Sequence, residues 1–180
     1  WEVPETEMDL SKIEKINRAM LRSKNYAISQ YESVVAYMKS VGADKPVHIG
    51  ETGWASSDNA LYGKDGSKAT DEYKQGLFYQ QLREWTNKNS ISCFYFEAFD
   101  EHWKDAKNPE GSENHFGLIN LQGEAKYPIW SLVDEGRFKG LTRNGKTITK
   151  TYSGDLETLM QDVEAPLGAF KNKEVIEVEE

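Results

Sequence analysis

The segment Pro46-Val47-His48-Ile49-Gly50-Glu51 decides the fold. It is short, β-rich and bounded by Pro46 and Gly50, so it reads as a strand that delivers Glu51 at its C-terminal end. A helix precedes it. Ser11 and Glu14 have capping-box spacing, and Ile13, Ile16, Met20, Ala27, Tyr31, Val34, Val35 and Met38 recur at steps of mainly three, four or seven until Gly42. A polar loop, Ala55 to Ala69, follows the strand; Thr70 then caps a second helix striped with Tyr73, Leu77, Phe78, Leu82 and Trp85. Beyond that helix, Ile91 to Phe99 is almost continuously apolar, with aromatics on both parities. Such a run reads as a strand buried on both faces.

Helix, strand, helix and buried strand in this order predict an α/β fold with parallel strands, since each strand-to-strand connection passes through a helix. Both loops with chemical character follow strands at their C-terminal ends, where (β/α)₈ TIM barrels place their chemistry. Such barrels typically need about 250 residues and eight strands. The 180 residues offer two clear strands and the end of a third before Trp1. The expectation is therefore the C-terminal portion of a barrel, about strands 6/7 to 8, incomplete in this chain. Residues 1–139 would hold these βα units. Residues 140–180 would form an extension that packs on the barrel or is partly disordered. Within it, 147–151 alternate like an exposed strand, 156–163 are weakly helical, and 171–180 are an acidic tail.

Composition narrows the function. Lys and Arg number 22 against 30 Asp and Glu, a net charge of −8, with no basic stripe; nucleic acid and anionic lipid are poor partners for such a chain. No apolar run approaches the length of a membrane span, and no signal peptide is visible at Trp1-Glu2-Val3-Pro4-Glu5. Cys93 is the single cysteine, which excludes an internal disulfide and a multi-cysteine zinc site. Five Trp, nine Tyr and seven Phe exceed what a core of this size needs, so some are candidate ligand platforms.

Glu51-Thr52-Gly53-Trp54 is the sharpest constellation. It sets a carboxylate beside a backbone that can be approached closely and an indole face on which a sugar ring can stack. A glycosidase needs such a set, because a carboxylate must meet its oxocarbenium-like transition state. A surface salt bridge is the plain alternative. In Phe96-Glu97-Ala98-Phe99-Asp100-Glu101-His102-Trp103-Lys104, Glu97 lies in an apolar run and must be paired, protonated or turned to a polar cavity. Strand alternation would put Glu97, Phe99 and Glu101 on one side; a structural ion pair with Lys104 is the alternative. Gly63-Lys64-Asp65-Gly66-Ser67-Lys68 lacks phosphate-loop spacing and reads as a flexible flank of the cleft. His48, Glu51, His102 and His115 show no compact metal-ligand spacing, and no cofactor is called for.

Three blocks taken together, Glu51-Thr52-Gly53-Trp54, Tyr95 to Lys104, and Glu113 through Phe116-Gly117-Leu118, resemble the C-terminal half of glycoside hydrolase family 17, the β-1,3-glucanases and related transglycosylases. The form containing Glu97 is closer to bacterial and fungal members than to plant ones. The resemblance implies a retaining (β/α)₈ enzyme with Glu51 as nucleophile and Glu101, Lys104 and Glu113 as a supporting network. Trp54 and Trp103 would be sugar platforms, with Glu97 and Tyr62 as further substrate-binding candidates. Family members carry their acid/base in an Asn-Glu pair after strand four, and this sequence contains no Asn-Glu. The resemblance thus implies that the general acid/base, and the missing N-terminal half of the barrel, come from outside this chain, and that the isolated fragment is inactive. The partner would be a β-glucan of laminarin type, and export follows from that substrate class alone. A transglycosylase, or a degenerate glucan-binding protein without chemistry, remains the alternative.

Overall fold

The computed structural model describes residues 1–168, so the acidic tail 171–180 lies outside the described residues. Helix α1 runs from Lys12 to Ser40 and opens with the expected capping box: Ser11 Oγ accepts from the Glu14 amide, and Glu14 returns a bond to the Ser11 amide at 3.1 Å. A cap of this kind contributes about 1 kcal/mol. Helix α2, Glu72–Lys88, is capped one residue later than expected. Asp71, not Thr70, accepts from the Lys74 amide at 2.7 Å, because the Thr70 hydroxyl is spent on the Tyr62 carbonyl.

The main core joins Ile16 and Met20 of α1 to Phe78 and Leu82 of α2, Trp130 of α3 (Trp130–Asp134), and Leu159 and Val163 in and after α4 (Leu156–Asp162). Side chains buried this fully contribute about 1.5–3 kcal/mol each. Trp130 thus belongs to the core, as its helical position implies. A second cluster gathers Ile119, Ala125, Ile129 and Ile148.

Strands β1 (Ile49–Thr52) and β2 (Cys93–Tyr95) pair in parallel and are connected through α2. Glu51 lies at the C-terminal end of β1, one residue before Thr52. The register joins Ile49 to Cys93 and Thr52 to Tyr95, so two residues, Gly50 and Glu51, oppose the single residue Phe94. This is a bulge, a device that re-aims side chains. Tyr95 packs edge-on against Tyr79 of α2 with ring centroids 4.9 Å apart, which fixes the helix-covered face of the sheet. Phe94 lies on the other face and is 68 % exposed. The expected strand over 91–99, buried on both sides, is corrected accordingly: it has three residues and one covered face, because a second layer meets only the helix side. Since the strand ends at Tyr95, alternation does not govern Glu97, Phe99 and Glu101 either.

The rest is made of short pairs. β3 (Glu124–Ala125) pairs in parallel with β6 (Thr149–Lys150), and β4 (Thr142–Arg143) forms a hairpin with β5 (Lys146–Thr147). The exposed strand expected over 147–151 is thus two separate ladders with Ile148 buried between them. Among the described residues the strands form three two-stranded sheets and no complete barrel; the α/β class and the parallel strand–helix–strand unit stand. The segment around Gly63 to Lys68 is not a flexible flank. The amides of Gly66 and Lys68 bond the Gly63 carbonyl, Ser67 N bonds Leu61 O at 2.8 Å, and Ser67 is fully buried.

Gly53 locks the two strand ends together. A Cβ there would stand 2.0 Å from the Phe96 carbonyl oxygen, whereas one at Gly50 meets nothing within 4 Å. Gly53→Ala should therefore cost about 1–3 kcal/mol or more in urea unfolding, with Gly50→Ala within about 0.5 kcal/mol of wild type. Equal effects would contradict this packing.

Candidate active site

The loop after β1 carries Trp54, and three bonds hold it from behind. Trp54 Nε1 donates to the Ala69 carbonyl at 2.9 Å, its own carbonyl accepts from Gln75 Nε2 at 3.0 Å, and the Ser56 amide reaches His115 O at 3.0 Å. The same Gln75 nitrogen lies 3.1 Å from Phe116 O and 3.2 Å from Gly117 O. One buried amide of α2 thereby ties the loop after β1 to the loop that carries Glu113.

Glu97, Glu101 and Lys104 come together in one ion cluster. Lys104 Nζ donates to Glu97 Oε2 at 2.5 Å, lies 3.6 Å from Glu101 Oε2, and rests over the Phe96 ring at 3.8 Å. The ion pair with Lys104 is thus the arrangement found for Glu97, with one of its oxygens used; Oε1 is buried and has no partner among the described residues. Loss of water raises the Glu97 carboxyl above its usual range, and the Lys104 ammonium opposes that rise.

Trp54, Tyr62 and Glu113 share a second feature, a cavity of about 350 Å³ also lined by Trp1, Gly53 and Phe116. Its volume is that of a small-ligand site. Trp54 is only partly free for a ligand, since one side of its indole packs on Phe78 at 5.2 Å. Trp103, in contrast, stands 66 % exposed. Glu51 is solvent-exposed and lines a separate groove of about 360 Å³ with Ala27, Gln30, Tyr31 and Val34 of α1, so the structure does not place it in the cavity of Trp54, Tyr62 and Glu113. A larger cleft near the N-terminus, about 980 Å³, has only Glu2, Glu5 and Arg22 as charged lining. Among the described residues no three His, Cys, Asp or Glu are grouped to hold a metal ion, and no helix is long and apolar enough to cross a membrane.

Two important residues were not singled out from the sequence. Asp100 and Lys126 form an ion pair at 2.7 Å with both side chains 3 % exposed. Lys126 sits in Ala125-Lys126-Tyr127-Pro128-Ile129-Trp130, where a lone charge among apolar neighbours is the same signal that marks Glu97.

Because the ionised form of Glu97 is the costlier one in the fold, its contribution to stability is full below the ordinary carboxylate range and is lost as pH rises through its folded pKa. Carboxyl ¹³C NMR should place its midpoint above that of an exposed Glu. Lys104→Met should push it higher and cost about 1–3 kcal/mol near neutral pH, by leaving a buried acceptor unpaired. An unmoved midpoint would break the assignment.

Comparison with known proteins follows this geometry. A crystal structure of an endo-laminarinase from Formosa Hel1_33_131 matches 97 % of the chain with a TM-score of 0.90 and 56 % identity, and the match covers 44 % of that protein. A glucan 1,3-beta-glucosidase of Arthroderma benhamiae is 33 % identical over 93 residues, 48 % of this chain and 28 % of that protein. Another from Schizosaccharomyces pombe is 35 % identical over 81 residues, 45 % and 23 % respectively. The chain spans less than half the length of each of these relatives. The fold is accordingly of TIM-barrel type, though no barrel closes within the described residues. Residues 7–130 match the family Glycosyl hydrolases family 17, and the chain belongs to that family.

Proposed function

We propose that this chain is the strand-seven and strand-eight portion of a retaining β-1,3-glucan hydrolase. Residues 1–139 supply its last βα units and 140–180 an extension that packs on them. The observation that carries the reading is Glu51 itself: an exposed carboxylate near the end of β1, where the register with β2 shifts, two residues before a Gly-Trp turn that lines an aromatic cavity. A retaining glycosidase requires an attacking carboxylate on a rigid strand, with a second carboxyl about 5–5.5 Å away.

In this reading Glu51 attacks the anomeric carbon. The C–O bond to the leaving sugar breaks, and a general acid from outside these 180 residues delivers a proton to the leaving oxygen; it then takes a proton from the water that releases the glycosyl group. Glu101 and Lys104 set the local charge and Glu113 stands at the cavity wall, while Trp54, Tyr62 and Trp103 meet sugar faces and Glu97 fixes Lys104. The substrate class, laminarin-type β-1,3-glucan, draws support from the endo-laminarinase and the two glucan 1,3-beta-glucosidases named above. A polysaccharide of that kind lies outside cells, so the enzyme is placed there too. Transglycosylation would use the same residues with a sugar acceptor in place of water, and oligosaccharides longer than the substrate among the products would identify it.

In the protein with its barrel complete, Glu51→Gln should lower kcat on laminarin by at least about 10³-fold with an unchanged melting temperature, and a 2-fluoro glycoside should label Glu51. Near-normal turnover, or a label on another residue, would remove the assignment. The 180-residue chain alone should show no hydrolysis.

A further inference from the structure

Three backbone segments carry the acids of this site, and they meet behind it at one ammonium group. Lys126 Nζ donates to Asp100 Oδ1 and to Ser56 Oγ, both at 2.7 Å, and to the His115 carbonyl at 3.3 Å. Ser56 lies five residues beyond Glu51, Asp100 is joined directly to Glu101, and His115 is two residues from Glu113. Asp100 Oδ1 also accepts the Gly117 amide at 2.8 Å, where a Cβ at Gly117 would stand 2.0 Å from the Asp100 nitrogen. The other ionisable groups nearby are Glu72, held by Tyr127 N and Thr151 Oγ1, Glu97, and the His115 ring, 3.7 Å from Asp100 Oδ2.

Burying this pair is a poor way to gain stability. Removing two charges from water costs about as much as their attraction returns, and apolar or neutral replacements of similar shape often fold as well or better. What the pair provides is direction: four short polar contacts at one point fix where three loops stand relative to one another. Catalysis is sensitive to this, since a displacement of about 1 Å at reacting groups can cost about a hundredfold in rate.

We propose that Lys126, with Asp100, is a positioning residue that sets the mutual spacing of Glu51, Glu101 and Glu113 from beneath the site. It does not touch the sugar. The proposal rests on the glucanase reading above, and its test separates the two.

The test compares wild type, Glu51→Gln and the charge-neutral double variant Lys126→Met with Asp100→Asn, all in the protein with its barrel complete, by laminarin kinetics and thermal melting. The double variant should melt like wild type while kcat falls about 10- to 100-fold and KM stays within about threefold. A purely structural pair would not split kcat from KM in this way. A folded double variant with wild-type kcat overturns the proposal. If the double variant loses cooperative melting, Ser56→Ala decides instead, because it removes only one of the ammonium's bonds. A kcat reduced about three- to tenfold at unchanged melting temperature supports the proposal, and an unchanged kcat overturns it. A wild type inactive on laminarin, or an active Glu51→Gln, overturns the glucanase reading first and this proposal with it.

Discussion

Three main-chain carbonyls, those of Trp54, Phe116 and Gly117, converge on the amide nitrogen of Gln75, a residue with no exposed surface. Loops with buried backbone must find partners for every carbonyl and amide, and elements around a site rarely lie close enough to satisfy one another. Here a side chain from the first turn of α2 enters the gap and serves both loops at once. Because α2 is itself fixed through Phe78 and Leu82 in the core, the loops inherit a position from hydrophobic packing that they could not hold alone. The Gly53 approach to Phe96 and the Lys126 contacts complete the same task from other directions.

Features that depend on neighbours in sequence were legible. The Ser11–Glu14 box, the length of α1, the short strand at Ile49 and the helix over Tyr73 to Trp85 are each decided by local patterns, and the structure has them with ends displaced by up to three residues. Features set by distant contacts were not. The bulge at Gly50 and Glu51 exists only in relation to Phe94, forty-odd positions away, so no periodicity within 46–51 announces it. The three-residue length of β2 reflects which of its faces is covered, a property of the whole assembly of layers. Hydrophobicity alone marked Ile91 to Phe99 as buried. The family resemblance succeeded where such patterns stop, because three separated blocks in order encode a spatial arrangement that no single block contains.

The carboxylates of this region differ mainly in how much water they retain. Asp100 is sealed in and fully engaged by Lys126 and Gly117. Glu97 is mostly enclosed with one oxygen paired to Lys104 and the other unpartnered, and its affinity for a proton is raised. Glu101 shares Lys104 at a longer distance, and Glu51 and Glu113 reach solvent. Glu51 and Glu113 thus stand nearest the surface, while the Asp100–Lys126 pair ties together the backbone segments that carry these acids.

Glu51 stands opposite Phe94 in the strand register, and this pairing has an energetic consequence. A parallel sheet is stable when both faces are covered, so the side of β1–β2 that carries Phe94 calls for a second layer of protein or ligand. Whatever covers Phe94 also takes water from Glu51. That raises the energy of the ionised carboxylate unless a cation or hydrogen-bond donors accompany the cover. The bulge bears on this balance: it sets Gly50 and Glu51 opposite Phe94, and a Cβ at Gly50 would meet nothing within 4 Å, so the backbone beside Glu51 stands open. With a regular register from the Ile49–Cys93 pair, alternation would put Glu51 on the face of Cys93 and Tyr95, the one that α2 covers. The position of one extra residue in β1 therefore decides whether Glu51 faces solvent or the helices.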